Sequence, residues 1–194
     1  QIYPIEIVIL PHLNIIKRMY MKKFLLLLST MLVAFNFACA NTKASGTDQN
    51  AVIIKTIDSK LKGADILPAI TGNYEGKVVL IDFWATWCPP CRAAMKQLDT
   101  IKPALQKKGV VFVYVTGETS PKKDWEAMIG KIHGEHYRLT GAQWTDLCNE
   151  LNIPGIPAYM LLNKDGSVAY SNLSTGGYPG NEIIQNNIEV ALTK

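Results

Sequence analysis

Continuous apolar runs alternate along the chain with segments in which apolar residues recur every three or four positions. The run Val78–Trp84, interrupted only by Asp82, is typical of a strand buried on both faces. The run Val110–Val115 predicts a second buried strand. Between them, apolar side chains share one face of an amphipathic helix at Ala94, Leu98, Ile101 and Leu105. A strand, a helix and a strand in this order form a βαβ unit, so we expect the two strands to be parallel.

Proline and turn residues indicate where elements end. Pro103 interrupts the amphipathic helix, which we expect to kink or split there. Further along, the segment Asn163–Gly166 separates the strand-like runs Ala158–Leu162 and Ser167–Tyr170, and an Asp-Gly turn between such runs predicts a hairpin. Three further helices are predicted over residues 121–132, 145–151 and 184–192. The pattern as a whole predicts an α/β fold in one domain.

The N-terminal region has the pattern of an export signal. Two lysines at 22–23 precede a continuous apolar run over residues 24–35. Small residues at 38 and 40 then form a signal-peptidase cleavage site. We therefore predict that the mature protein is exported to the periplasm, where disulfides persist.

The chain divides into four parts on this interpretation. We predict upstream sequence over 1–20, a signal peptide over 21–40, a linker over 41–50 and a single domain over 51–194. A transmembrane anchor is one alternative, although the apolar run is shorter than the roughly 20 residues that a span needs. A lipid anchor at Cys39 is another, with Asn36 where lipoprotein signals usually have Leu.

Composition and charge exclude several classes of protein. The 194 residues are 48% hydrophobic and 19% charged, which is typical of a globular domain and excludes a disordered or fibrous chain. The net charge of +4 is concentrated at the N-terminus, because residues 1–40 carry +3 and residues 41–194 only +1. A nearly neutral domain lacks the basic stripe that binds nucleic acid, so we expect no such partner. No feature of the sequence requires an oligomer, so we expect a monomer.

The motif that carries chemistry is Cys88-Pro89-Pro90-Cys91, between the first buried strand and the amphipathic helix. The first thiol then lies at a helix N-terminus, where free N–H groups and the helix dipole favour the nucleophilic thiolate. The second thiol lies one turn further on, within reach to close a disulfide. The two prolines fit the first helical turn and constrain the loop. We expect thiol–disulfide chemistry at Cys88 and Cys91, without a metal or other cofactor.

Two other interpretations of the cysteine pair stay open. A zinc site would need a second pair of ligands, for which Cys148, His133 and His136 are the candidates. A purely structural disulfide would close a very short loop and therefore stabilise the fold little. Cys148 lies on a predicted helix among apolar residues, and we expect it to be a small core residue.

The stretch Phe83–Cys91, with the sequence FWATWCPPC, resembles the active-site segment of the thioredoxin superfamily. Asp82, the segment Gly155–Pro157 and the Asn163–Gly166 turn match further elements of that family. With the export signal and the extra segment after the second strand, the chain is similar to the TlpA/ResA-like periplasmic thioredoxins over about residues 77–192. The resemblance implies a thioredoxin fold: a central mixed β-sheet flanked by helices on both faces, with a short insertion after the second core strand.

The resemblance also implies roles for individual residues. Asp82 would be a buried acid, and desolvation would raise its pKa and suit it to carry a proton. A cis bond at Ile156–Pro157 would present the Ile156 backbone to an extended substrate segment near the disulfide; Pro154 is the alternative position. Trp87, next to the nucleophile, is either a platform for substrate or a packing residue.

Two departures from the family pattern concern proton handling. Thioredoxins often have a lysine in the next strand near the buried acid, but Val110–Val115 contains none and Tyr114 stands near that position. ResA-like members carry a buried glutamate after the second strand, and Glu118 falls near there. We therefore expect proton transfer around Asp82 to differ from that in thioredoxin.

These observations predict an exported thiol-disulfide oxidoreductase that reduces disulfides of periplasmic proteins. Cys88 would attack a substrate disulfide, and Cys91, assisted by Asp82, would resolve the mixed disulfide. A membrane protein would supply electrons. The alternatives are a disulfide oxidase or isomerase of the same fold, a peroxidase of the peroxiredoxin type, and a non-enzymatic carrier of copper or haem.

Overall fold

The structure, a computed structural model, describes residues 51–194. The predicted upstream segment, signal peptide and linker, and with them Cys39, lie outside the described residues. The strands of the described part are β1 Val52–Lys55, β2 Val79–Phe83, β3 Val111–Gly117, β4 Gly134–Leu139, β5 Ala158–Leu162 and β6 Val168–Ser171. The helices are α1 Ile66–Thr71, α2 Pro89–Leu98, α3 Lys102–Lys107, α4 Lys122–Ile129, α5 Gly141–Glu150 and α6 Asn181–Thr193. Among these helices, none combines the length and apolar composition that crossing a bilayer requires.

The strands join one mixed sheet in the order β1-β4-β3-β2-β5-β6. β2 and β3 are parallel, as the βαβ pattern predicted, and Asp82 lies opposite Tyr114. β2 and β5 are antiparallel, and Asp82 lies opposite Tyr159. β2 is therefore paired along both edges at the centre of the sheet.

Alternation along β2 assigns its side chains to two core layers. Ile81 and Phe83 belong to the cluster that also contains residues of α1 and α5. Leu80, and Trp84 just beyond the strand, belong to the opposite cluster, which contains Cys88, Cys91 and residues of α2, α4 and α6. Successive side chains of a strand point to opposite faces, so Asp82 points into the layer that contains the cysteines.

Two elements placed by turn and proline residues are confirmed. The predicted helix is split at Pro103, because α2 ends at Leu98 and α3 begins at Lys102. Pro103 lies in the first turn of α3, where its missing N–H leaves no hydrogen bond unmade. The hairpin is also present: β5 and β6 are antiparallel and Gly166 N–H donates to the Asn163 carbonyl at 3.0 Å.

The hydrophobic pattern of the sequence did not predict β1, α1 or β4. β4 lies between β3 and β1, and with α4 it forms the insertion after the second core strand. Its sequence is largely polar, yet His136 is fully buried and Glu135 pairs with Lys55 at 2.6 Å. Residues on neighbouring strands therefore stabilise β4, although the composition of β4 alone does not predict a strand.

Helix α5 begins four residues before the predicted position. The cause is a capping box, in which the Thr140 hydroxyl accepts the Gln143 N–H and the Gln143 side chain accepts the Thr140 N–H. These two bonds occupy N–H groups that would otherwise lack partners at the start of the helix.

Candidate active site

The two cysteines lie at the N-terminus of α2, directly beyond the end of β2. Cys88 is the N-cap residue and Cys91 lies in the first turn; their sulfur atoms form a disulfide with the Cα atoms 5.3 Å apart. The Cys91 N–H donates to Cys88 Sγ at 3.2 Å. Because this N–H is one of the free donors of the helix, it favours negative charge on Cys88 Sγ when the disulfide opens. Cys88 retains a small exposed surface, whereas Cys91 has none.

The residues around the two sulfurs form an exposed rim. Pro89 and Pro90 occupy the first turn of α2 and face solvent. The Trp87 side chain is 57% exposed, so it does not fill the core. Trp87 borders a shallow groove that Arg92 lines from α2 and Met128 lines from α4. The groove combines apolar and charged side chains and begins one residue before Cys88.

A proline-containing loop approaches the disulfide from a second side. The Ile156–Pro157 peptide bond is cis, as predicted, and Pro154 is not the cis residue. The Ile156 carbonyl oxygen lies 3.8 Å from Cys88 Sγ. The Pro157 carbonyl accepts the Gly177 N–H at 2.7 Å, so the glycine-rich loop before α6 supports this segment. No local pattern in the sequence predicted this contact between the loop and the site.

Asp82 is enclosed in the layer that contains the cysteines. It is 1% exposed, and neither of its carboxyl oxygens has a hydrogen-bond partner among the described residues. Desolvation by burial raises the pKa of Asp82 to about 8. The Lys102 ammonium, followed by the Tyr159 hydroxyl, opposes this shift. The Tyr159 hydroxyl lies close to the carboxyl, but the two groups do not form a hydrogen bond of ordinary geometry.

A buried lysine lies near the acid, on α3 rather than on the adjacent strand. Strand β3 contains no lysine, as expected, but Lys102 at the start of α3 is only 3% exposed. Its Nζ donates to the Tyr114 hydroxyl at 2.8 Å and lies 3.6 Å from an Asp99 carboxylate oxygen. A signal was present: Lys102 follows Leu98 by four residues and so lies on the apolar face of the predicted helix.

The insertion holds the segment that precedes the cysteines. The Thr86 N–H donates to Ser120 Oγ at 3.0 Å, and both residues are buried. Arg138 of β4 donates from Nε to the Ser120 carbonyl at 3.0 Å. Glu118 lies two residues earlier, but its side chain is 53% exposed and accepts an N–H of α5 at 2.8 Å. Glu118 is therefore not a buried acid of the site.

The other candidate metal ligands lie in separate environments. The His136 ring donates from Nε2 to the Ile132 carbonyl at 2.7 Å, and burial lowers its pKa to about 4. Cys148 is half-buried rather than enclosed in the core, and burial raises its pKa to about 11. Within residues 51–194, no group of three or more His, Cys, Asp or Glu side chains could hold a metal ion.

The comparisons with known proteins agree with this architecture. Residues 76–168 match the family described as thioredoxin-like. The thioredoxin domain of a thiol-disulfide oxidoreductase from Bacteroides vulgatus superposes with a TM-score of 0.53 at 22% identity, over 62% of this chain and 83% of that chain. A thiol:disulfide interchange protein from Bacteroides sp. superposes with a TM-score of 0.53 at 24% identity, over 63% and 77% of the two chains. The described domain thus has the thioredoxin fold, and its residues 76–168 match the thioredoxin-like family model.

Among named relatives, the thiol-disulfide oxidoreductase ResA of Geobacillus kaustophilus is 31% identical over 97 residues. The match covers 50% of this chain and 54% of the relative, so the chain spans about half the length of the protein it matches. The curated relatives that this chain matches are thus named thiol-disulfide oxidoreductases.

The raised pKa of Asp82 predicts a pH-dependent stability. Between pH 4 and 8 the folded state holds a proton that the unfolded chain, with its carboxyl pKa of 3.8, has released. The free energy of unfolding therefore falls progressively as the pH rises over this range, by about 1 kcal/mol per pH unit. We expect Asp82→Asn to gain stability relative to the unmodified protein between pH 5 and 8, measured by urea unfolding at each pH.

The exposed Asp65 provides the matched control, since Asp65→Asn makes the same chemical change outside the core. Its stability difference should stay constant across the same pH range. A constant difference for Asp82→Asn as well would contradict the raised pKa.

Proposed function

We propose that this chain is a thiol-disulfide oxidoreductase that reduces disulfides of exported proteins through Cys88 and Cys91. One observation carries the proposal: Cys88 Sγ accepts the Cys91 N–H at the N-terminus of α2, and the Cys91 sulfur is its disulfide partner. This position favours the thiolate, which is the species that attacks disulfides. The similarity to proteins named thiol-disulfide oxidoreductase ResA supports the same activity.

The reaction begins from the reduced protein, with a Cys88 thiolate and a Cys91 thiol. Cys88 Sγ attacks one sulfur of the substrate disulfide, and the other substrate sulfur leaves as a thiolate and takes a proton from water. Cys91 then transfers its proton to the Asp82 carboxylate and attacks Cys88 Sγ. The Cys88–Cys91 disulfide forms as the second substrate sulfur leaves. Two electrons have passed to the substrate, and an external dithiol must return them to the protein.

The exposed surroundings of Cys88 suit a polypeptide substrate. The Ile156 backbone lies next to Cys88 Sγ on one side, and the Trp87 indole is exposed beside it. Backbone and aromatic contacts of this kind can hold an extended segment whatever its side chains are. The substrates would therefore be varied exported proteins that carry a disulfide.

We propose that the protein acts after export, with a membrane protein as its electron donor. The lysine pair, the apolar run and the small residues over 21–40 support an export signal. We expect residues 21–50 to export a fused alkaline phosphatase, which becomes active only outside the cytoplasm. An inactive fusion, beside an active one with an established signal peptide, would exclude export by this segment.

The direction of electron flow depends on the reduction potential of the Cys88–Cys91 pair. We expect a value near about −270 mV, as in thioredoxin, when the protein is equilibrated with dithiothreitol or glutathione buffers. A reductase needs such a low potential because its dithiol must give up electrons readily. A value near about −120 mV would instead indicate an oxidase that donates its disulfide.

Cysteine variants test the assignment of the two thiols. We expect Cys88→Ser to abolish the reduction of insulin by dithiothreitol catalysed by this protein, since the attacking sulfur is lost. Cys91→Ser should accumulate a covalent complex with substrate, visible by non-reducing electrophoresis, because the mixed disulfide is not resolved.

Cys148→Ser is the matched control, because it removes a thiol that is not part of the pair. It should retain the rate of the unmodified protein. Loss of activity in Cys148→Ser to the level of Cys88→Ser would argue against the proposed pair, as would full activity in Cys88→Ser.

A further inference from the structure

One amide side chain, that of Asn172, organises the loop between β6 and α6. Its Nδ2 donates to the Gly177 carbonyl at 2.8 Å and to the Gly176 carbonyl at 3.3 Å. Its Oδ1 accepts the Tyr159 N–H of β5 at 2.8 Å. Turning the amide over would place Oδ1 against two carbonyl oxygens, so the contacts fix its orientation. The side chain thus connects both glycines of the loop to β5.

The backbone of Asn172 makes the same connection. Its N–H donates to the Tyr159 carbonyl at 3.1 Å. Its carbonyl accepts the N–H groups of Thr175 and Gly176 at 3.1 and 2.8 Å. The loop over residues 172–177 is therefore held by one residue through side chain and backbone together, and that residue is bonded to the central sheet.

The loop contacts the segment 155–157, which approaches the disulfide, at two points. The Gly177 N–H donates to the Pro157 carbonyl at 2.7 Å. Gly176 lies so near the other end that a Cβ atom on it would be 3.2 Å from the Gly155 carbonyl oxygen, closer than ordinary van der Waals contact. These two contacts lie on either side of Ile156. The loop therefore limits how far the segment can move away from or towards the site.

The position of Ile156 decides what can bind beside the nucleophile. Its carbonyl oxygen lies 3.8 Å from Cys88 Sγ, so a polypeptide that pairs with this backbone has its own disulfide near the attacking sulfur. Backbone pairing requires a fixed spacing between donors and acceptors, and a misplacement of about 1 Å can cost a reaction up to about a hundredfold.

We propose that Asn172 is a positioning residue that sets the place of the Ile156 backbone beside Cys88 and thereby the efficiency with which polypeptide disulfides are reduced. This inference rests on the proposed function and deepens it by naming a residue on which polypeptide binding depends. Asn172 acts through the loop, because its amide holds Gly177, whose N–H in turn holds the Pro157 carbonyl.

A small disulfide does not need this arrangement. The attack of Cys88 on a compound such as Ellman's reagent requires the thiolate, which the Cys91 N–H favours, but no pairing with the Ile156 backbone. A change at Asn172 should therefore separate the two kinds of substrate. A loss of thiolate or of the fold would instead slow both reactions.

The variant Asn172→Asp removes the donor while nearly preserving the size of the side chain. One carboxylate oxygen can still accept the Tyr159 N–H, but the other faces the loop carbonyls and repels them. Asn187→Asp is the matched control, because the Asn187 amide also donates to a carbonyl, that of Ile183 at 2.8 Å within α6. Both variants lose one amide donor and gain one negative charge.

Two rates are measured for each protein. The first is the reduction of insulin in the presence of dithiothreitol, recorded against insulin concentration to give KM and kcat. The second is the release of the first thionitrobenzoate when reduced protein is mixed with Ellman's reagent.

We expect Asn172→Asp to lower kcat/KM for insulin about tenfold, chiefly through KM, and to leave the rate with Ellman's reagent within about twofold. Asn187→Asp should match the unmodified protein in both rates. An unchanged KM for insulin in folded Asn172→Asp would overturn the inference, as would an equal fall of both rates. Circular dichroism of each variant shows whether it is folded.

A glycine variant tests the second contact and does not depend on the folding of Asn172→Asp. In Gly176→Ala the added methyl group would press on the Gly155 carbonyl and displace the segment 155–157. Gly63→Ala is its control, because Gly63 has a similar positive φ, +50° against +64°, but no atom within 4 Å of the added Cβ. We expect only Gly176→Ala to lose efficiency with insulin while keeping its rate with Ellman's reagent. Equal efficiency of the two variants with insulin would overturn the inference.

The outcomes distinguish this inference from the proposed function. If the unmodified protein neither reduces insulin nor releases a second thionitrobenzoate, the proposed function itself is contradicted. If it does both, and Asn172→Asp has the same KM for insulin as Asn187→Asp, the proposed function stands and the role of Asn172 is overturned.

Discussion

Strand β2 is hydrogen-bonded along both edges and buried on both faces, and the geometry of the site follows from that position. Its end directs the chain into the N-terminus of α2, where Cys88 acts as the N-cap. Its register with β3 and β5 places one tyrosine on each side of Asp82. A central strand cannot shift by one residue without exchanging its two buried faces, so these relations are rigid.

The enclosed carboxyl is the main electrostatic consequence of that arrangement. Asp82 has no hydrogen-bond partner among residues 51–194, so burial disfavours its charge and the protein loses stability wherever the group must ionise. The same environment suits a group that must hold and release one proton near neutral pH. The ammonium group of the buried Lys102 partly offsets the cost of ionising Asp82. The pKa of the carboxyl is therefore raised only to about 8.

The insertion after β3 contacts the segment that leads to the cysteine pair. Its Ser120 side chain binds the backbone of Thr86, and its helix α4 lines the groove beside Trp87. Strand β4 secures the insertion by pairing with strands on both sides. The segment before the cysteines is thus held from the insertion as well as from the sheet, which fixes the groove relative to the cysteine pair.

The sequence by itself determined the central βαβ unit, the split at Pro103, the hairpin and the position of the cysteine pair at a helix N-terminus. These features depend on periodicity and on residues whose backbone preferences are local, so they can be recognised without a partner. Strand β4 and the lysine near Asp82 were decided only by the tertiary structure. The polar strand is stabilised by its neighbours, and the interaction of Lys102 with Asp82 acts through space between residues 20 positions apart. Burial and through-space charge depend on which elements pack together, and no local pattern in the chain encodes that distance.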